Sequence, residues 1–475
     1  MHLWIIASVL VFTFAGVMYV YLTRNQFTRL DDFLTGRNHL GTLPATATVF
    51  ASIMGAWVLF TPAEAGTWGG IAAFGGYAVA QAAAVMLFAV FGPRMRELAP
   101  EGTTLFEFVY YRYGKSMYAL TLVVGVFYMS VFLAAELTGI ALAVNLVAGI
   151  PLWITALIIG GGTLIYTTYG GIRGTIFTDT VQTLVVIPTI LIAFFATAHF
   201  AGGLGGVFNQ VKDINPSLLS FENVGGLNFA AVMVIAVIAA NMFNQGFWSR
   251  VYACRDNRTL RRSFLIGGFF VIPVMVIAGF FGLFAVSAGT LTSPSSALFE
   301  VILNVTPTWV INVVIILAVA LVMSSVDTMI NAIAAVFTVD IARFNPEMST
   351  SRLHVYARVI TALICGLVII IASQGYSVLY LFLLADLACA AAVFPTFYGM
   401  YSKRFTGRAA VISVLGGIAA GVPYFPNPAM QGGNLLYCFA LALAVSIVLS
   451  VVLEKTSRTE LNFDYLRETV HDIRS

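Results

Sequence analysis

The chain is built from long apolar runs separated by short polar connections. Thirteen runs, near 3–22, 41–66, 71–93, 116–148, 151–168, 175–199, 227–248, 264–288, 309–342, 355–373, 376–401, 407–424 and 434–453, are each mostly apolar over close to 20 residues or more. That is the length a helix needs to cross the hydrocarbon of a bilayer. None of them alternates with the two-residue period of a lipid-facing strand, so helices are predicted throughout. The runs 116–148 and 309–342 exceed the minimum, which predicts tilt or extension beyond the hydrocarbon. Composition agrees: 60% of residues are hydrophobic and 9% charged, against roughly 25% charged in soluble domains. A soluble enzyme, a nucleic-acid binder and a disordered scaffold are thereby excluded. The expected fold class is an all-α polytopic membrane protein with about 13 transmembrane helices, partnered by the lipid bilayer.

Charge orients these spans. All lysines and arginines except Lys212 fall in connections that follow odd-numbered runs, at the adjoining ends of the next runs (Arg358 and Arg408) or in the tail. The positive-inside rule then puts the N-terminus outside and the C-terminus in the cytoplasm of a cell (inner or plasma) membrane. Only Met1 and His2 precede the first run, so no removable signal peptide is expected. Residues 1–453 form the predicted membrane domain, and 454–475 a cytoplasmic tail too short for an attached catalytic domain. Cys254, Cys365, Cys389 and Cys438 lack metal or redox spacing and read as small buried hydrophobes. The five histidines lie at or beyond the membrane edges, which leaves no nucleophile–base set for intramembrane catalysis.

Glu64, Glu136, Asp179, Asp327 and Asp386 fall inside predicted spans. Each costs at least about 2.5 kcal/mol at bilayer depth unless it is compensated. With every lysine and arginine assigned to connections or helix ends, the partners left are protons, metal cations, polar neighbours or a cationic solute. The second span carries Gly55 near its centre within a run of small residues, and the seventh carries Asn241, Asn244, Gln245 and Gly246. Small and amide residues at mid-depth predict unwound helices that turn backbone groups toward a ligand. In the ninth span Ser324, Asp327 and Thr328 share one helix face. Hydroxyls beside freed carbonyls suit sodium better than magnesium or calcium, which prefer more carboxylate charge.

Three stretches resemble the sodium:solute symporter family. They are Tyr169-Gly170-Gly171 leading into Thr178-Asp179-Thr180-Val181-Gln182, then Val322-Met323-Ser324-Ser325-Val326-Asp327-Thr328, and Asn244-Gln245-Gly246-Phe247-Trp248-Ser249-Arg250. The resemblance implies a LeuT-type inverted repeat of five plus five helices, 41–199 and 227–401, with one helix before and two after. It implies sodium as the co-transported ion, held by the carbonyls of Ala51, Met54 and Leu321 and the hydroxyls of Ser324 and Ser325. Asp179, Asp327 and Thr328 become candidates for ion exit or a second sodium site. Trp57, Glu64, Glu136, Asn241, Asn244 and Asp386 become candidate contacts to a small organic solute, neutral or cationic, with Trp248 a gate. Proline-type members tend to carry an Asp in the broken second span, where Ile53 stands here, which speaks against proline. The expected function is sodium-coupled symport by alternating access, with proton coupling or solute sensing as rivals. Substrate identity, stoichiometry and oligomeric state stay open.

Overall fold

The computed structural model describes residues 36–457 and 460–470 together with Val11, Phe14, Met18 and Tyr21, but not the side chains of 166, 168–171, 173 and 354. Apart from those four residues, the predicted span near 3–22 lies outside this description. In chain order the helices are α1 (Thr42–Ile53), α2 (Thr61–Met86), α3 (Phe88–Leu98), α4 (Leu105–Tyr113), α5 (Lys115–Ala148), α6 (Leu152–Phe200), α7 (Gly203–Ile214), α8 (Val224–Met242) and α9 (Gln245–Ala253). They continue as α10 (Asn257–Ala288), α11 (Ala297–Val305), α12 (Thr308–Phe344), α13 (Thr350–Ala372), α14 (Val378–Tyr398), α15 (Gly407–Gly421), α16 (Leu435–Lys455) and α17 (Phe463–Thr469). Side-chain caps fix several starts: Asn223 for α8, Asp256 for α10, Ser377 for α14, Thr406 for α15 and Asn434 for α16 each accept a backbone N–H of the first turn.

Ten helices among the described residues are long and apolar enough to cross a membrane, so the predicted count of thirteen is not reproduced. Two of the predicted runs fall short of that length, as Thr42–Ile53 and as Leu152–Ile165, while Gly174–Phe200 at the far end of the long α6 is a span of its own. Leu152 lies against Gly375, after α13, and Phe194 packs on Phe284 near the end of α10, so the two ends of α6 lie on one side and the chain reverses within it.

Two breaks organise the molecule. The second predicted span is divided: α1 stops at Ile53, Gly55 is extended (φ −109°, ψ −178°), and a 3₁₀ turn over Ala56–Leu59 leads into α2. The seventh span divides between α8 and α9, where Asn244 is extended (φ −74°, ψ 100°) and its side chain accepts the Gly246 N–H. Both interruptions stand where small or amide residues occupy mid-span.

Gly70 ends the outer part of the second span inside α2, at φ 58° and ψ −149°, outside helical space. A Cβ there would overlap the Leu218 backbone. Gly70→Ala is therefore expected to destabilise by about 1–3 kcal/mol, read as a lower unfolding midpoint in detergent. Gly75→Ala is the control, because its Cβ would meet only Phe221 at 4.0 Å. Farther back on α2 the backbones pack directly: a Cβ on Gly66 would strike the Gly279 carbonyl of α10, one on Gly282 the Ala63 carbonyl, and one on Gly226 of α8 the Gly69 carbonyl.

Candidate ion and solute site

The break at 54–60 faces α5 and α12. Helical bonding ends at Met54, whose N–H reaches the Ala51 carbonyl at 3.1 Å in a tightened last turn. Carbonyls at a helix end lose their regular partners and become available to a ligand. Across from them, Ser324 and Ser325 sit buried on α12. The Ser324 hydroxyl donates to Asp179 Oδ1 at 2.6 Å. That of Ser325 donates to Glu136 Oε2 at 2.8 Å and lies 3.3 Å from the Leu321 carbonyl. Each serine therefore directs its proton at a carboxylate, which leaves oxygen lone pairs for a cation.

Asp179 lies in a five-residue polar cluster. Its Oδ2 accepts from the Thr48 hydroxyl of α1 at 2.6 Å and from Arg250 Nη2 of α9 at 2.8 Å. Arg250 further donates through Nε to Thr48 Oγ1 at 2.8 Å, through Nη1 to the Gly246 carbonyl at 3.0 Å and through Nη2 to Thr328 Oγ1 at 3.0 Å. This corrects the expectation that no arginine reaches the embedded acids, since Arg250 is 2% exposed. The sequence places it just beyond the seventh predicted span, but its long side chain runs inward from the short α9 to Asp179. Asp327, on the same helix as Thr328, instead accepts from Thr178 of α6 at 3.0 Å.

Glu136 of α5 joins the break to α12. Its Oε2 accepts the Ala56 N–H at 2.7 Å as well as the Ser325 hydroxyl, while Oε1 has no hydrogen-bond partner and lies against Gly55. It does not line the solute cavity described next, and neither do Glu64 or Asn244. Glu64 sits in the first turn of α2, with Oε2 unpartnered.

A narrow cavity of about 30 Å³ lies between the two broken helices, α5 and α14, lined among others by Trp57, Asn241 and Asp386. As it stands it has room for a water or two. Asn241 donates to the Val237 carbonyl at 2.8 Å, and Asp386 is 4% exposed with Oδ1 unpartnered. The rest of the wall holds four more aromatic rings and five aliphatic side chains. Trp57 lies 5.7 Å from Tyr77 and 6.1 Å from Phe382, and Phe382 lies 5.1 Å from Phe132, with Tyr128 and Gln81 completing the polar rim. Among the described residues no lysine, arginine or histidine lines it. Sequence reasoning missed the four further aromatic rings, because an aromatic in an apolar run looks like any packing residue. Gln81, a buried amide inside a predicted span, was a usable signal that went unread. Trp248 is fully buried away from this cavity, with Nε1 donating to the Met242 carbonyl at 2.8 Å and its ring stacked 5.8 Å from Phe397.

The four cysteines are free and buried, as their spacing predicts. Outside the membrane-spanning helices, Asp256 is held at about 2 by the Thr259 N–H that its capping role recruits.

The chain is similar to several known transporters. It is 26% identical over 423 residues to a spermidine transporter of Candida albicans, covering 86% of this chain and 78% of that one. It is 24% identical over 363 residues to a sodium/glucose cotransporter of Vibrio parahaemolyticus, covering 68% and 65% respectively. In structure it resembles a sodium-coupled sialic acid symporter in an outward-open state, with a TM-score of 0.79 at 17% identity, covering 97% of this chain and 98% of that one. The model of the sodium:solute symporter family matches residues 33–417. The chain belongs to the sodium:solute symporter family and is a membrane-embedded secondary active symporter, not an enzyme, with sodium as its co-transported ion.

Proposed function

We propose that the protein uses the sodium gradient to import a small organic ammonium compound, with one cation seated at the break of α1 and the other in the aromatic cavity. The observation that carries this reading is Asp386: a buried carboxylate oxygen without a partner, in a cavity shared by five aromatic and five aliphatic side chains and, among the described residues, by no basic one. A carboxylate supplies the counter-charge for an ammonium group, and the faces of Trp57, Tyr77 and Phe132 attract a cation through their ring quadrupoles. Gln81 and Asn241 add amide groups for the solute's remaining donors. The similarity to a spermidine transporter supports the same chemistry.

On the ion side, the carbonyls of Ala51, Met54 and Leu321 with the hydroxyls of Ser324 and Ser325 make an oxygen set of the kind sodium takes. Met54 and Trp57 lie three residues apart in the unwound stretch, the first toward the ion and the second in the solute wall. Ordering that stretch around one cargo preorganises it for the other, which is the coupling free energy symport requires. The arginine-rich connections face the cytoplasm in this arrangement. Residues 41–199 and 227–401 act as the inverted halves around the site, and 454–475 as the tail.

Uptake into proteoliposomes tests this. Putrescine, spermidine and choline are each offered against urea and proline, under an inward gradient of sodium or of potassium. At least one ammonium compound should accumulate in a sodium-dependent way. Accumulation of neutral solutes alone would remove the ammonium assignment, and uptake that follows a pH gradient while ignoring sodium would favour proton coupling.

A further inference from the structure

We propose that Glu136 carries the counter-charge of the coupled sodium, as the one acidic member of the ion site. The inference rests on sodium coupling and concerns a residue that the sequence places with the solute. Three observations converge on it. Glu136 is fully buried, yet among the described residues no lysine, arginine or histidine forms an ion pair with it. The nearby buried base, Arg250, is already committed to Asp179 at 2.8 Å, so that acid is neutralised inside the protein. The Glu136 carboxylate also joins the break of α1 to the serine helix: Oε2 takes the Ala56 N–H of the break and the Ser325 hydroxyl of α12, and Oε1 is left unpartnered beside Gly55.

The missing side chain at position 55 gives Oε1 its place, since any Cβ there would overlap the carboxylate. A hydroxyl that donates to a carboxylate has both lone pairs turned the other way, which makes Ser325 a more negative ligand than an unassisted serine. The carboxylate adds a full negative charge, shared by both oxygens, at the residue next to Met54. In a low-dielectric site an uncompensated carboxylate and a monovalent cation complete one another, whereas the hydroxyl and carbonyl ligands alone would leave the ion's charge unbalanced. Glu136 and Asp386 thus form a matched pair, each a buried acid without a base, one for each cation carried.

The test is sodium-dependent thermal stabilisation of the purified protein, titrated in sodium at constant ionic strength with potassium, for wild type, Glu136→Gln and Ser325→Ala. The solute probe is whichever ammonium compound the uptake panel selects, added without sodium. Glu136→Gln should raise the half-stabilising sodium concentration by more than about tenfold and weaken the preference for sodium over potassium, while stabilisation by the ammonium compound persists. Ser325→Ala should shift the midpoint less. An unchanged sodium midpoint in Glu136→Gln overturns the proposal and leaves sodium symport standing. Loss of ammonium stabilisation with an intact sodium response returns Glu136 to the solute and overturns it as well. A wild-type protein indifferent to sodium overturns both this proposal and the coupling it rests on. Should Glu136→Gln not be recovered folded, Glu136→Asp retains the charge at greater distance, and an unshifted sodium midpoint in that variant is equally fatal.

Discussion

Arg250→Met is expected to destabilise the protein by about 3–5 kcal/mol, the cost of leaving a buried charge without its partner. The guanidinium reaches Asp179, Thr48 and Thr328 at 2.8–3.0 Å and is 2% exposed, so its loss strands the Asp179 carboxylate where water cannot replace it. Asp179→Asn alone should cost a similar amount by stranding the arginine. The double variant should recover much of the loss, because removing both charges also removes the desolvation penalty that each single variant exposes. Unfolding midpoints of the four proteins form a thermodynamic cycle, and additive single effects would contradict the pairing. Because the pair is buried, the coupling should barely respond to ionic strength, unlike that of the exposed pair between Arg404 and Glu460.

Asp386→Asn is expected to abolish uptake of the ammonium compound at concentrations near the wild-type KM. Replacing one partner of a buried charge pair costs about 2–5 kcal/mol, or roughly 30-fold to several thousandfold in affinity. Asparagine keeps the volume and planarity of the side chain, so the cavity shape is retained and the effect isolates charge. The loss should appear as a rise in KM for the ammonium compound, with the sodium-dependent stabilisation of the solute-free protein preserved. An Asp386→Asn variant that transports the compound with wild-type KM would dismiss the carboxylate as its anchor.

The two helix breaks could be read from the chain because the residues that cause them differ from their surroundings. Gly55 in a run of small residues and Asn244 beside Gln245 and Gly246 are conspicuous in apolar spans, and the structure interrupts both helices at these places. Asp386 and Glu136 were conspicuous for the same reason, since a carboxylate in an apolar run has no ordinary explanation. What separated them, one into the solute wall and one against Ser325, depends on which helices pack together, and single-sequence periodicity does not encode that. Arg250 was hidden by the opposite effect. A cation near a span end satisfies the charge rule whether its side chain points to water or, as here, back into the protein. The aromatic wall was illegible because Tyr77, Phe132 and Phe382 carry the same hydropathy signal as rings that only fill space.

The glycine contacts along α2 have a mechanical consequence. Where Gly66 meets Gly279 and Gly282, and Gly69 meets Gly226, main chain rests on main chain with no side chain between. At these points the helices touch through backbone alone, while Trp68 and Tyr77 against Phe229, and Phe74 against Phe280, pack the same interfaces alongside. Helices α2, α8 and α10 are consequently geared together. If cargo shifts the 54–60 stretch as proposed, the adjoining Thr61–Gly69 segment, packed on Gly226 and Gly279, carries that shift to α8 and α10. On the proposed coupling, this close packing ties the two broken helices to each other on one side of the cavity.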